Sequence, residues 1–211
     1  MSRAASIVAV ALATIGSASA ASIEAHVVDS AGVPVADAVV WALSPQIPAE
    51  ARGARAQIEQ ADREFLPYVT VIQQGTTVTF PNRDPILHHV YSFSPAKPFE
   101  IKLYTGRSPL EIVFDKAGLV TLGCNIHDWM IAYVQVVPTP YFGRTDASGV
   151  VRLRDMPAGS YEIRAWDPLQ VAAIRPHEAT LEGATAARVQ FTTEVKPRKP
   201  KFKPPLDRQR Y

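Results

Sequence analysis

What most constrains this chain is how seldom it lets a segment run. From residue 21 onward, Gly, Pro and Asn/Asp turns break it every few residues, and the stretches between are rich in Val, Ile, Thr and aromatics. Stretches that short cannot build a long amphipathic helix, whereas a strand needs only about four to eight residues. The fold class read from this is all-β. In "IEAHVVDSAGVPVADAVVWAL" (Ile23 to Leu43) a turn at Ser30-Ala31-Gly32 separates two strands, the second alternating at Val33, Val35, Ala38 and Val40. "YVTVIQQGTTVTF" turns at Gln74-Gly75, "HHVYSFS" is a further strand, "PLEIVFDKAGLVTLGC" turns at Lys116-Ala117-Gly118, and "MIAYVQVV" closes the series. In "GRTDASGVVRLRDMPAGSYEIRAWDP" Val151 and Leu153 alternate with arginines, giving one buried and one wet face. The best helix candidate is Ala49 to Ala61, weakened by Gly53 and by apolar positions that are mostly alanine.

The two ends differ from this middle. Arg3, the apolar run Ile7 to Ile15 and Ala18-Ser19-Ala20 have the form of a secretory signal peptide over residues 1–20, cleaved near Ala20. The expected location is periplasmic or secreted, with no transmembrane segment in the mature chain. From Lys196 the sequence carries seven basic residues and one acidic, Asp207, among prolines, and is expected to be disordered. Contact with an acidic partner or anionic lipid is the alternative role for this tail. The near-balanced net charge of +2 and the absence of a basic, aromatic-laced stripe argue against nucleic acid as a partner.

An exported chain sits in an oxidising compartment, where cysteines pair. This one has a single cysteine, Cys124, in "GCNIHDWM". It is either a small buried hydrophobe or bound to something. His127 and Met130 follow it in the same loop. A thiolate and a thioether are soft ligands and imidazole is borderline, a set that suits copper; zinc takes Cys and His but rarely Met. One loop cannot surround an ion, so a further ligand must come from elsewhere. "NRDPILHHVYSF" offers His88 and His89. Asp128 is a weaker oxygen candidate, better read as a surface carboxylate.

The pattern N-x5-H-x-V followed by C-x2-H-x2-M resembles the plastocyanin/amicyanin branch of the cupredoxins, with the loop spacing of the amicyanin type. The resemblance covers residues 55–137, including "FLPYVTVIQQGTTVTFPN" and "FDKAGLVTLGCNIHDWM". It implies a cupredoxin Greek-key β-sandwich and one type 1 copper ion, with His88, Cys124 and His127 in the trigonal plane and Met130 as the axial ligand. It also implies that the Asn82 amide ties the two ligand loops together. The ring edge of His127 would lie at the surface as an electron port, with Ile126 and Trp129 as a docking patch. His89 stands where the family usually has asparagine, and is kept as the alternative metal ligand.

The flanks resemble a carboxypeptidase-regulatory or Cna-B-like β-sandwich, a transthyretin-like fold, through D-x-x-G and P-x-G-x-Y in "TDASGVVRLRDMPAGSYEIRAW" and the opening hairpin near residue 23. The expected organisation is signal peptide 1–20, opening hairpin and linker 22–54, cupredoxin unit 55–137 inserted in the sandwich, remaining strands 138–195, and tail 196–211. Trp41, Tyr161 and Trp166 could stack on sugars in such a fold, though aromatics there are more often core. The combination resembles periplasmic proteins grouped as methylamine utilization proteins, which implies a redox partner such as a quinoprotein dehydrogenase or c-type cytochrome. The expected function is one-electron transfer by a monomer that is not an enzyme, since four protein ligands leave no open position for substrate. Copper delivery or storage, and a carbohydrate-binding or adhesion module with a non-redox site, are the alternatives.

Overall fold

The computed structural model describes residues 21–47, 51, 53–183 and 185–197. The segment read as a signal peptide and the tail from residue 198 lie outside the described residues. The chain is all-β, with seventeen strands and no helix among the described residues.

β1 (Ala21–Asp29) shows how the strands are made. Ala21, Ile23, Ala25 and Val27 are buried, while Glu24, His26 and Val28 between them are only partly covered. Successive side chains of a strand leave on opposite faces, so this alternation fixes one face toward a core. β1 pairs antiparallel with β14 (Val150–Met156) and parallel with β17 (Ala186–Thr193). A second sheet has the order β13 (Phe142–Arg144), β2 (Val39–Leu43), β15 (Gly159–Trp166), β16 (His177–Leu181). The two sheets share one core, in which Ile23, Val27, Val40, Leu153, Ile163 and Phe191 meet.

Between β2 and β13 the chain builds a second core. β6 (Val69–Gln73), β12 (Ile131–Val137), β11 (Gly118–Gly123), β8 (His88–Ser92) and β9 (Phe99–Tyr104) form a five-stranded sheet, parallel between β6 and β12 and antiparallel elsewhere. β10 (Ile112–Phe114), β7 (Thr76–Thr79) and β3 (Arg55–Gln57) form a smaller one. Ile72, Val78, Val90, Phe114, Leu122 and Val134 from both sheets pack into one cluster. β4 (Glu59–Ala61) and β5 (Glu64–Leu66) form a hairpin that sends Phe65 into the same cluster. The two cores meet where Tyr133 of β12 packs edge-on to Trp166 of β15, ring centroids 5.7 Å apart.

The stretch expected as a helix over Ala49 to Ala61 is not one. Residues 48–50 and 52 lie outside the described residues, and the rest holds β3 and β4. Gly53 takes φ +69°, off the right-handed helical region, and Arg55–Gln57 pairs with Thr77–Thr79. Tertiary pairing overrides a weak local preference. Val33 and Val35 also fall short of a strand: that segment makes only a bridge, Val28 to Pro34, before β2 begins at Val39.

Candidate metal centre

β11 ends at Gly123 and β12 begins at Ile131, so Cys124 to Met130 is the connection between two adjacent antiparallel strands. A hydrogen bond from the Met130 N–H to the His127 carbonyl closes it into a tight turn. Cys124, His127 and Met130 are all buried, and Met130 lies in the same cluster as Cys124. β8 runs beside β11 and carries His88 at its start. The potential ligand atoms of His88, Cys124 and His127 lie within 4.8 Å of one another.

These separations can be tested against a trigonal site. Bonds of about 2.0 Å to nitrogen and about 2.3 Å to sulfur, spread at roughly 120°, hold two nitrogens about 3.5 Å apart and nitrogen and sulfur about 3.7 Å apart. His88 Nδ1 and His127 Nδ1 are 3.1 Å apart, and Cys124 Sγ is 3.8 Å from His127 Nδ1. Two of the three edges are close to the trigonal values, and the third, between His88 and Cys124, is no longer than 4.8 Å.

Protonation also suits ligation. Burial is the main force lowering the pKa of both imidazoles, holding His88 below its ordinary value and His127 at about 4, the latter helped by His88 and Arg63 nearby. Both rings are therefore neutral at neutral pH. Nε2 of His88 is 2.7 Å from Asp84 Oδ2. With Nε2–H donating to that carboxylate, the Nδ1 lone pair faces the cluster. Burial alone would raise the pKa of Asp84, but hydrogen bonds from His88 and from the Arg63 and Asp62 N–H groups outweigh it and keep the carboxyl low.

Those two N–H groups belong to the β4–β5 turn. Asp62 and Arg63 take φ +53° and +58°, the paired left-handed conformation of a two-residue hairpin loop. The same turn sets the Arg63 guanidinium 5.9 Å from the centre of the Trp129 ring, a cation–π contact, and the Trp129 ring lies tilted against His127, centroids 5.1 Å apart at 54°. One hairpin thus braces both imidazoles, His88 through Asp84 and His127 through Trp129. Neither Asp84 nor Arg63 stood out in the sequence. Asp84 lies four residues before His88, a usable signal; the reach of Arg63 across the fold has none.

Three expectations change. The His127 ring does not lie at the surface: its exposure is 0%. Ile126 and Trp129, expected as a patch around an open ring edge, are half-buried and pack against the core. Asn82 does not tie the two ligand loops together: its Nδ2 donates to the carbonyls of Ile86 and Tyr104 and its Oδ1 accepts from the Asp84 N–H, all on the His88 side. His89, the alternative ligand, points to the other face of β8, where its Nε2 is 2.9 Å from Glu100 Oε1. Asp128 is exposed, and it is not among the clustered groups.

A buried thiol flanked by two neutral imidazoles defines a mononuclear metal site at one end of a β-sandwich. No protein-family model matches the chain, and no curated protein matches it. Solved structures are similar to part of it. A purple cupredoxin from Nitrosopumilus maritimus shares 27% identity over 38% of this chain and 98% of its own, with a TM-score of 0.34. A reduced amicyanin variant shares 19% over 46% of this chain and 97% of its own, at 0.36. A Cu-containing nitrite reductase from Thermus scotoductus shares 24% over 53% of this chain but only 28% of its own, at 0.37.

Proposed function

We propose that the protein is an exported one-electron carrier whose redox group is a single copper ion held by His88, Cys124, His127 and Met130. The observation that carries this reading is the convergence of a buried thiol and two neutral imidazoles within 4.8 Å of one another, with a thioether in the same core cluster. Copper in such a site cycles between Cu(I) and Cu(II). The chain's part is to keep the donors still while it does. Asp84 holds the His88 ring, the Met130–His127 hydrogen bond holds the loop, and the β4–β5 hairpin excludes water from the imidazoles. Fixed ligands mean little rearrangement between the two oxidation states, which favours fast exchange.

The burial of His127 supports a resident ion over one held for delivery, since release would require Trp129 and the hairpin to move. A sugar-binding role is weakened at one of its residues: Tyr161 is core, with its hydroxyl donating to the Pro157 carbonyl. Export rests on the sequence of residues 1–20, and the electron partner, read as a periplasmic redox protein such as a quinoprotein dehydrogenase or c-type cytochrome, on the resemblance alone.

The test is to add Cu(II) to the purified chain and record visible absorption and EPR. An intense thiolate-to-copper band that bleaches on reduction is expected. His88→Ala should abolish it and His89→Ala should spare it. Copper bound without such a band would overturn the reading, and the reverse histidine result would reassign the ligand.

A further inference from the structure

With His127 covered, electrons need another way to the surface, and the opposite side of Cys124 offers one. Gly123, bonded to Cys124, stands on β11 across from Tyr91 of β8. A Cβ at Gly123 would fall 2.7 Å from Tyr91 Cζ and 2.8 Å from its Oη, so the ring lies directly on the peptide preceding the thiol. The rings of Tyr91 and Phe93 are 5.0 Å apart at 44°. Phe93 is 85% exposed, the most open large hydrophobic residue among those described. Beside it Tyr91, Phe93, Thr121, Gly123 and Ile131 line an open cleft of about 320 Å³.

We infer that Tyr91 and Phe93 form an electron path between the copper thiolate and this cleft. The inference rests on the copper reading above. An electron leaving Cu(I) would pass from the Cys124 sulfur through the Gly123 peptide, then across two ring contacts, to a one-electron acceptor seated at Phe93. Copper is oxidised to Cu(II), the acceptor is reduced by one electron, and no bond or proton moves. The rings act as a bridge in van der Waals contact and are not themselves oxidised. Tunnelling falls steeply across open gaps, so contact at each step is what gives the path its advantage.

The experiment is stopped-flow oxidation of the copper-loaded, reduced full chain by tris(phenanthroline)cobalt(III), whose flat aromatic ligands can stack on Phe93. Phe93→Ala is a surface change that leaves the core intact, and it should slow oxidation about tenfold with the thiolate–copper band and reduction potential unchanged. Tyr91→Phe should retain the rate and Tyr91→Leu should lose it, because the ring and not the hydroxyl makes the contact. Val171→Ala, an exposed position of the flanking sandwich away from the site, should leave the rate within about twofold of the parent. A normal band with an unchanged rate in Phe93→Ala, or equal slowing in Val171→Ala, overturns the path and leaves the copper reading standing. No band in the parent protein overturns both.

Discussion

The two cores of this molecule are alike in kind and unlike in what they bury. The core of β1, β2 and β13–β17 is small-residue and aliphatic, with Ala21, Ala25, Ala38, Ala42 and Ala165 among its members. Its buried polar groups do structural work: Thr145 joins the carbonyl of Val35 to the N–H of Ala38, and Asp167 accepts from the Leu169 N–H. The core of β3–β12 is packed by Phe65, Phe80 and Phe114, yet at one end it buries Cys124, His88 and His127 together. Burying polar groups costs free energy unless each is satisfied, and no helix cap or sheet register calls for two imidazoles and a thiol at one point. Two sandwiches of one chain therefore separate a scaffold from a site: chemistry sits where buried polarity exceeds what the fold uses.

The strongest way to break that separation is at Cys124. Cys124→Ser should remove the thiolate–copper band completely while the metal-free chain keeps its far-UV spectrum. A cysteine serving only as packing would give the opposite, lost stability with metal binding unchanged. Next come the two cores themselves. Phe114 and Phe191 are each at most 1% exposed, one in each core. Truncating either to Ala should cost about 3–5 kcal/mol in denaturant unfolding. Phe114→Ala should also weaken copper binding. Phe191→Ala should leave the band of the still-folded protein unchanged, and a band lost equally in both would mean that the cores act as one unit.

Acid should separate them too. His127 has its pKa lowered to about 4 by burial, and His88 is lowered for the same main reason. The unfolded chain takes up protons at these rings as pH falls through about 6.5, while folded His127 does not until about 4. Stability of the metal-free β3–β12 core is thus fully present above about 6.5 and is lost progressively down to about 4. The flanking core buries no histidine among the described residues. Near-UV circular dichroism against pH should show the aromatic-rich core melting first on acidification, and His127→Gln should flatten that dependence.

How much of this was readable depended on how local the signal is. Cys124, His127 and Met130 lie within seven residues, and the turn at Gln74-Gly75 falls between observed strands, as does Lys116-Ala117, with Gly118 already the first residue of β11. His88 is 39 residues from His127 and was reached through a spacing pattern, not through any local property. What could not be read is tertiary. The cover over His127 depends on Arg63 in a turn whose Asp-Arg sequence lacks the glycine that marks such loops. The parallel pairing of Ser22 with Ala186 joins segments from opposite ends of the described chain. The contact of Tyr91 with Gly123 exists only once β8 and β11 lie side by side.

The finest comparison is between two hydrogen-bonding side chains, the partly buried Asp84 and the buried Thr145, that do similar geometry for different ends. Asp84 accepts from His88, Asp62 and Arg63; Thr145 accepts from Ala38 and donates to Val35. Asp84→Asn keeps the shape but gives up the charge that orients the His88 ring, so copper affinity should fall about 10–100-fold and the thiolate–copper band should shift. Thr145→Val also keeps the shape, and leaves the Ala38 N–H and Val35 carbonyl buried without their partner. That should cost about 1–3 kcal/mol of unfolding free energy with no change in band position or copper affinity. If Thr145→Val moved the spectrum, or Asp84→Asn changed only stability, the division of labour between the two sandwiches would be wrong at the level of single side chains. The same copper titration and denaturant curve, run on both variants, decides it.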